Sequence, residues 1–230
     1  VSKIINNQAT LSESESKHCI SVLRHNVSDM IHLTDGTGKL YRARIIDANP
    51  RACLVEIDKI IDEYNKSNAR LHLAVAPPKQ ADRFEWFIEK AVEIGINEIT
   101  PLLCRRSERK EIKTERLEKI IIAAMKQAIV TEKPVINQMM SFQQFIQSTQ
   151  QSKADRFIAF CSENNNKPVH ESLVKGHHVI ILIGPEGDFT TDEIQLSLSS
   201  GWMPLSFGNR RLRTETAALA ACFAFNLING

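Results

Sequence analysis

At 230 residues the chain has room for one large domain or two modest ones, each able to bury its own core. Its 43% hydrophobic and 24% charged residues are the mix of a soluble globular protein, and no apolar stretch approaches the ~20 residues that span a bilayer, so no membrane role is expected. A net charge of +2 is nearly neutral, so bulk electrostatics alone would not reveal an RNA or DNA partner, and local clusters matter more.

In chain order, the start Val1-Ser2-Lys3-Ile4-Ile5-Asn6-Asn7 lacks the charged-then-apolar layout of a secretion signal. A helix is predicted from Ser14 to Arg24, carrying His18, Cys19, Val22 and Leu23. Ile31-His32-Leu33 then runs through the turn-forming Thr34-Asp35-Gly36-Thr37-Gly38 into Leu40–Ile46. After the turn Asp47-Ala48-Asn49-Pro50-Arg51 comes Ala52–Ile57. Two hairpin-like connections in about thirty residues predict a small β-barrel over 1–67, closed by a polar linker, Asp62–Asn68.

From residue 68 to 230 strands and helices alternate. Leu71–Ala76 reads as a strand. Asp82 opens a helix with Phe84, Phe87, Ile88, Ala91 and Val92 at i, i+3, i+4, i+7, i+8, ended by Gly95. Glu98–Leu103 is the next strand. Thr114 starts a helix with the apolar face Leu117, Ile120, Ile121, Ala124, Met125 and Ala128. Phe157–Phe160 and Val179–Ile183 are continuous apolar runs, as strands covered on both faces are. Thr190 and Glu193 fit a capping box for a helix stopping at Gly201. Met203–Phe207 is a last strand and Thr214–Leu227 a last helix, alanine-rich enough to pack centrally. The alternation predicts an α/β fold, a mostly parallel sheet with helices on both sides.

The five cysteines (Cys19, Cys53, Cys104, Cys161, Cys222) are odd in number and never form C-x-x-C, which points to a reducing cytoplasm and away from structural zinc. The seven histidines form no ligand spacing; His177-His178 marks a strand edge, and no metal is expected. Arg105-Arg106-Ser107-Glu108-Arg109-Lys110 reads equally as a solvated loop or a basic patch, whereas Arg210-Arg211-Leu212-Arg213 lies inside a glycine-started loop.

Two loops carry the chemistry: Gly184-Pro185-Glu186-Gly187-Asp188-Phe189-Thr190 and Phe207-Gly208-Asn209-Arg210-Arg211-Leu212-Arg213-Thr214-Glu215-Thr216. Each follows a strand and precedes a helix, the kind of corner that gathers backbone N–H groups around one ligand. Glu186 and Asp188 would repel a phosphate and tolerate a cationic or hydroxyl-rich ligand. Neither a Walker A loop nor G-x-G-x-x-G is present, which disfavours a nucleotide-using α/β enzyme.

Leu182-Ile183-Gly184-Pro185-Glu186-Gly187 together with Gly208-x-x-x-Leu212-Arg213-Thr214-Glu215-Thr216-Ala217 resembles the signature of the small-subunit (16S) ribosomal RNA uridine N3-methyltransferases, the RsmE type of the SPOUT class. His18–Arg24, Lys90–Gly95, and Pro101 followed by Arg106-Ser107 extend the resemblance over nearly the whole chain. It implies a PUA-like RNA-binding barrel, a C-terminal sheet with a trefoil knot, a homodimer, and S-adenosylmethionine as cofactor. It also implies that Gly184, Pro185, Glu186 and Gly187 form one wall of the cofactor site, and Phe207, Gly208, Leu212, Thr214 and Ala217, with Arg213, the other. The chain departs from the family in Asp188, where members often have glycine. It departs again in Ala128-Ile129-Val130, where many have Ser or Cys, then Gly-Arg, and in lacking the usual opening strand.

The resemblance implies a 16S ribosomal RNA or small-subunit substrate, and on it Arg213 and Glu215 are the expected catalytic residues. Arg213 would steady charge on the uracil carbonyls, and Glu215 would take the N3 proton. Glu215 reads equally as an acidic residue favoured by the helix dipole. Arg24, Arg106, Arg210 and Arg211 are the expected RNA contacts. Two alternatives stay open: a related enzyme methylating the ribose 2′-OH or another base atom, and a non-catalytic RNA-binding or assembly factor.

Overall fold

A computed structural model describes residues 4–62, 64, 67–161 and 167–230. The chain divides into two compact units, Val1–Lys66 with Thr131–Lys133, and Ser67–Val130 with Pro134–Gly230. Of the linker expected at Asp62–Asn68, Glu63, Asn65 and Lys66 lie outside the described residues.

The first unit is an antiparallel sheet. β1 (Gln8–Thr10) precedes a short α1 (Glu13–Lys17), followed by β2 (Met30–Thr34), β3 (Leu40–Asp47) and β4 (Leu54–Ile61), in the order β1-β4-β3-β2. Alternation sorts its faces: Ala43, Ile45, Val55 and Ile57 are buried with Ala9, Leu11, Cys19 and Tyr41, while Arg42, Arg44 and Glu56 face out. The β2–β3 turn is held by the Asp35 carboxylate, which accepts from Thr37 N (2.9 Å), Thr37 Oγ1 (2.7 Å) and Tyr41 Oη (2.7 Å). After the helix Thr114–Ala128 of the second unit, the chain returns to this sheet: Gly38 N donates to Thr131 O and Lys133 N to Gly36 O.

The helix expected from Ser14 to Arg24 is a correction. α1 ends at Lys17 and passes into a single π-helical turn, His18–Val22, after which Arg24 is left-handed (φ 60°). Ser16 and Cys19 are buried, but Val22 and Leu23 are exposed. Ser16 Oγ is fixed by donating to Leu11 O and accepting from Cys53 N. The small core takes Ser16 and Cys19, with Ile20 packed partly against it, and leaves Val22 and Leu23 uncovered.

The second unit is the α/β body. It runs β5 (Leu71–Val75), α2 (Ala81–Ile94), β6 (Glu98–Leu103), α3 (Thr114–Ala128), β7 (Val135–Ile136), β8 (Met140–Ser141) and α4 (Phe142–Ser148). Then come β9 (Asp155–Ala159), β10 (Lys167–Pro168), α5 (Val169–Ser172), β11 (Val179–Ile183), α6 (Thr191–Ser199), β12 (Met203–Ser206) and α7 (Thr214–Asn229). The strand order is β10-β12-β9-β11-β5-β6-β7, with β8 also on β6, and every pairing among the described residues of this sheet is parallel.

Both faces of the sheet are covered, as the apolar runs predict. Leu71, Leu73, Val75, Val179, Ile181 and Ile183 point to α2, α3 and α7, whereas Ala74, Ile158, Ile180 and Leu182 point to Phe142, Phe145, Ile146 and Trp202. The predicted stripe Phe84, Phe87, Ile88, Ala91, Val92 is the buried face of α2, and Gly95 caps that helix at φ 117°. The alanines of α7 do bring it close to α2: Ala218, Ala221 and Cys222 are fully buried, and Cys222 Sγ lies 3.7 Å from Ala91 O. Burial pushes the Cys222 thiol up to about 12, so it stays protonated packing material.

Candidate cofactor and RNA site

The strand order sets β12, β9 and β11 side by side, so the segments leaving their carboxyl ends converge. Open parallel sheets bind ligands at this edge. A cleft of about 1,210 Å³ opens there, walled by Ala159–Cys161 after β9, Gly184–Asp188 after β11 and Phe207–Thr214 with Ala217 after β12. Every residue that the sequence assigned to the cofactor lines it: Gly184, Pro185, Glu186, Gly187, Phe207, Gly208, Leu212, Thr214 and Ala217, with Arg213, Arg210 and Arg211.

The three segments are tied to one another. Thr214 Oγ1, at the start of α7, donates to Gly184 O (2.9 Å), joining the second loop to the first. Asp188 Oδ2 accepts from Cys161 N (3.1 Å) and Oδ1 from Phe189 N (2.8 Å), joining the first loop to the end of β9. Gly184 allows the close approach, since a Cβ there would stand 3.2 Å from the Phe189 ring. Gly208 sits at φ 105°, a conformation that glycine alone adopts without strain.

The first loop is also lashed from behind. Arg106 Nη1 donates to Gly187 O (2.7 Å) and Phe189 O (3.3 Å), so this expected RNA contact buttresses the loop. Arg109 donates to Pro78 O and Lys79 O, and Lys79 N donates to Glu186 Oε1 (3.1 Å). Glu193 closes the capping box of α6 with Thr190 through Oε2, and its Oε1 accepts from Arg105 N (2.8 Å). Arg109, Lys79 and Glu193 were not singled out as site residues from the sequence; only the capping pair was visible there. Cys104 lies beneath, its thiol held well above the ordinary range by burial, with Glu193 and Asp188 adding to the effect, and so is no nucleophile.

Glu215 is 6% exposed, and its Oε2 has no hydrogen-bond partner among the described residues. Its Oε1 stands 4.0 Å from Arg83 Nε of α2, within ion-pair range but beyond a hydrogen bond. Arg24 belongs to the first unit and is exposed there. Among the described residues no group of three His, Cys, Asp or Glu is placed to hold a metal, and no helix is long and apolar enough to cross a membrane.

Residues 65–226 match the model of the RNA methyltransferase domain, and residues 11–58 that of the RNA methyltransferase PUA domain. The ribosomal RNA small subunit methyltransferase E of Rickettsia conorii is 30% identical over 97% of this chain and 91% of its own. A solved structure from Porphyromonas gingivalis, assigned as an rRNA methyltransferase, is 38% identical with a TM-score of 0.88, covering 96% of this chain and 93% of that one. A methyltransferase structure from Legionella pneumophila, with the cofactor S-adenosylmethionine bound, is 30% identical with a TM-score of 0.84 over 98% of this chain and 93% of that one. On the match of its larger unit, its PUA segment and its full-length relatives, the chain belongs to the ribosomal RNA small subunit methyltransferase E family of the SPOUT class.

Proposed function

We propose that the protein methylates N3 of a uridine in the 16S RNA of the small ribosomal subunit, with S-adenosylmethionine as donor. The observation that carries this reading is the convergence of the two glycine loops at one end of the parallel sheet, with the buried carboxylate of Glu215, one oxygen of which has no hydrogen-bond partner among the described residues, on the helix after the second loop.

The residues present suit that donor. The backbone N–H groups of Asn209, Arg210, Arg211 and Leu212 find no acceptor among the described residues, and so are available to a ligand carboxylate or ring nitrogen. Glu186 and Asp188 on the opposite wall favour a cation, and a Cβ on Gly208 would meet nothing within 4 Å, leaving open space beside the backbone. When bound, S-adenosylmethionine supplies a methyl carbon on a positively charged sulfur, which needs an aligned nucleophile more than further activation.

The chain's own residues would make that nucleophile. Uracil N3 carries a proton, which passes to Glu215 while the electron pair stays on the ring nitrogen. The guanidinium of Arg213 stabilises the charge that spreads to the carbonyl oxygens. Arg210 and Arg211 hold phosphate, as does Arg24 on the PUA-like unit, and the guanidinium of Arg106 meets RNA from its post behind the first loop. An N3 edge is inaccessible in a duplex, so the target is unpaired or flipped out. We further propose the family's trefoil knot around residues 184–214, a homodimer, and work in the cytoplasm, where ribosomal RNA is found.

Arg213→Ala should abolish methylation of ribosomal RNA while leaving donor binding, read by calorimetry, within a few-fold of wild type. Mass analysis of the product nucleoside decides the atom: 2′-O-methyluridine, or no product from competent RNA, overturns the reading.

A further inference from the structure

A second cavity of about 750 Å³ lies on the other side of the arginine loop, between it and α2. Arg211, Leu212 and Arg213 wall both spaces, but here the opposite wall is Asp82, Arg83 and Trp86. We infer that this cavity is a receptor for an unpaired uracil base, and that Arg83 and Trp86, in addition to Arg213 and Glu215, select it. The inference rests on the RNA-methylating reading and extends it to how the base is chosen.

Four features of the cavity match one ligand class. Trp86 is 48% exposed, an indole face on a helix that otherwise buries its aromatics, and base stacking on such a face is sequence-tolerant. Glu215 offers one acceptor, Oε2, that is buried and unpartnered among the described residues, which is costly until a donor arrives. Arg83, whose Nε is 4.0 Å from Glu215 Oε1, and Arg213 line the same cavity with groups that can only donate. Donor, acceptor, donor is the complement of the uracil pairing edge, which presents O2, N3–H and O4 as acceptor, donor, acceptor. Cytosine presents acceptor, acceptor, donor. Its N3 lone pair would face a carboxylate and its amino group a guanidinium, both repulsive. A purine would have to fit a wider edge against the same three groups.

Arg83 Nε stands 4.0 Å from Glu215 Oε1, within ion-pair range but too far for a hydrogen bond, so neither group is consumed by a hydrogen bond to the other. A base that brings its N3–H to Glu215 and its carbonyl oxygens to the guanidiniums satisfies all three groups.

Tryptophan fluorescence tests this directly, because Trp202 is 3% exposed and leaves Trp86 as the solvent-facing reporter. The full chain is titrated with single-stranded oligoribonucleotides of adenines carrying one uracil or one cytosine. The uracil oligomer should quench and bind about tenfold or more tighter than its cytosine twin. Trp86→Ala should remove the quench and weaken binding, read independently by anisotropy of a labelled oligomer. Trp86→Phe should restore binding without the signal. Arg83→Ala and Glu215→Gln should each shrink the uracil preference about tenfold, with unchanged melting temperatures showing that the fold is intact. Equal binding of the two oligomers, no quench by either, or a preference untouched by both Arg83→Ala and Glu215→Gln overturns the inference. These readouts need no methyl transfer: a protein that methylates rRNA yet shows no uracil preference sinks this proposal alone. One that prefers uracil but never methylates sinks the catalytic reading instead.

Discussion

Ile129 and Asp188 stand where the family resemblance places glycines, and both hold left-handed backbone, at φ 54° and 61°. The residues have changed and the conformation has not. For Asp188 the exchange has a local reason, since its carboxylate accepts from Cys161 N and Phe189 N and so ties down the loop that glycine would leave looser. For Ile129, the C-cap of α3, no such compensation exists: the side chain is 51% exposed, and a β-branched residue is poorly suited to this region. Ile129→Gly should therefore stabilise the protein by about 1 kcal/mol, seen as a rise of roughly 2–4 °C in the melting temperature. An unchanged or lower melting temperature would refute strain at this cap. Gly208 is the converse case. Its φ of 105° is closed to alanine although there is room for the methyl group, so Gly208→Ala must bend the loop rather than crowd a neighbour. Because the loop is exposed, the melting temperature should hardly move, while the dissociation constant for S-adenosylmethionine should rise about tenfold by calorimetry.

Among the elements, the anchor of α6 matters most to the site. Glu193 is buried and serves three donors at once: Thr190 N and Oγ1 through one oxygen, and Arg105 N through the other. Glu193→Ala leaves two backbone N–H groups without their acceptor and should cost about 2 kcal/mol, whereas Glu193→Gln, which keeps an acceptor oxygen, should recover part of that loss in a denaturant titration. That capping pair was readable in the sequence because a helix start is written in four consecutive residues. So were α2, α3 and β11, whose periods or apolar runs are long enough to be unambiguous. The pieces β7, β8, β10 and α5 were not, since two to four residues carry no period; the three strands form only because β6 and β12 offer an edge. α4 was missed although Phe142, Phe145 and Ile146 follow a Ser141–Gln144 capping box, a signal present but short. At the site, the two glycine loops were legible through their turn chemistry and family signature. The bond from Thr214 to Gly184, the buttress from Arg106 and the face-off of Arg83 with Glu215 were not, because each joins residues thirty to more than a hundred positions apart.

On the scale of the whole molecule, pH acts through the core before it acts on the arginine-lined surface. His72 of β5 is 14% exposed, stacked edge-on against Phe145, with Nε2 2.7 Å from Thr100 Oγ1, and Asn137 completes the network by donating to Thr100 Oγ1 and Glu98 Oε1. Burial lowers the pKa of the ring below its ordinary value, and Glu98, 3.6 Å from Nδ1, offsets only part of that. A base whose pKa is lowered by folding is more readily protonated when unfolded. Its contribution is therefore complete above an unfolded pKa of about 6.5 and is lost as the pH falls below it. The melting temperature should fall between about pH 7 and pH 5, and His72→Gln should flatten that slope. The proposed homodimer would draw on the other side of the same body. α7 buries Ala218, Ala221, Cys222 and Phe225, yet also presents Phe223 at 60% and Leu227 at 73% exposure, one turn apart on the opposite face. Two large apolar side chains so placed on a central helix call for a cover, and the proposed homodimer supplies one through a second copy of the same helix. Sedimentation should give twice the chain mass for the wild type and a single chain mass for Phe223→Glu with Leu227→Glu. Both residues lie outside the buried set, so the double variant should keep its melting transition. A wild-type chain that sediments as a monomer at micromolar concentration would remove the dimer and leave the exposed face of α7 to another partner.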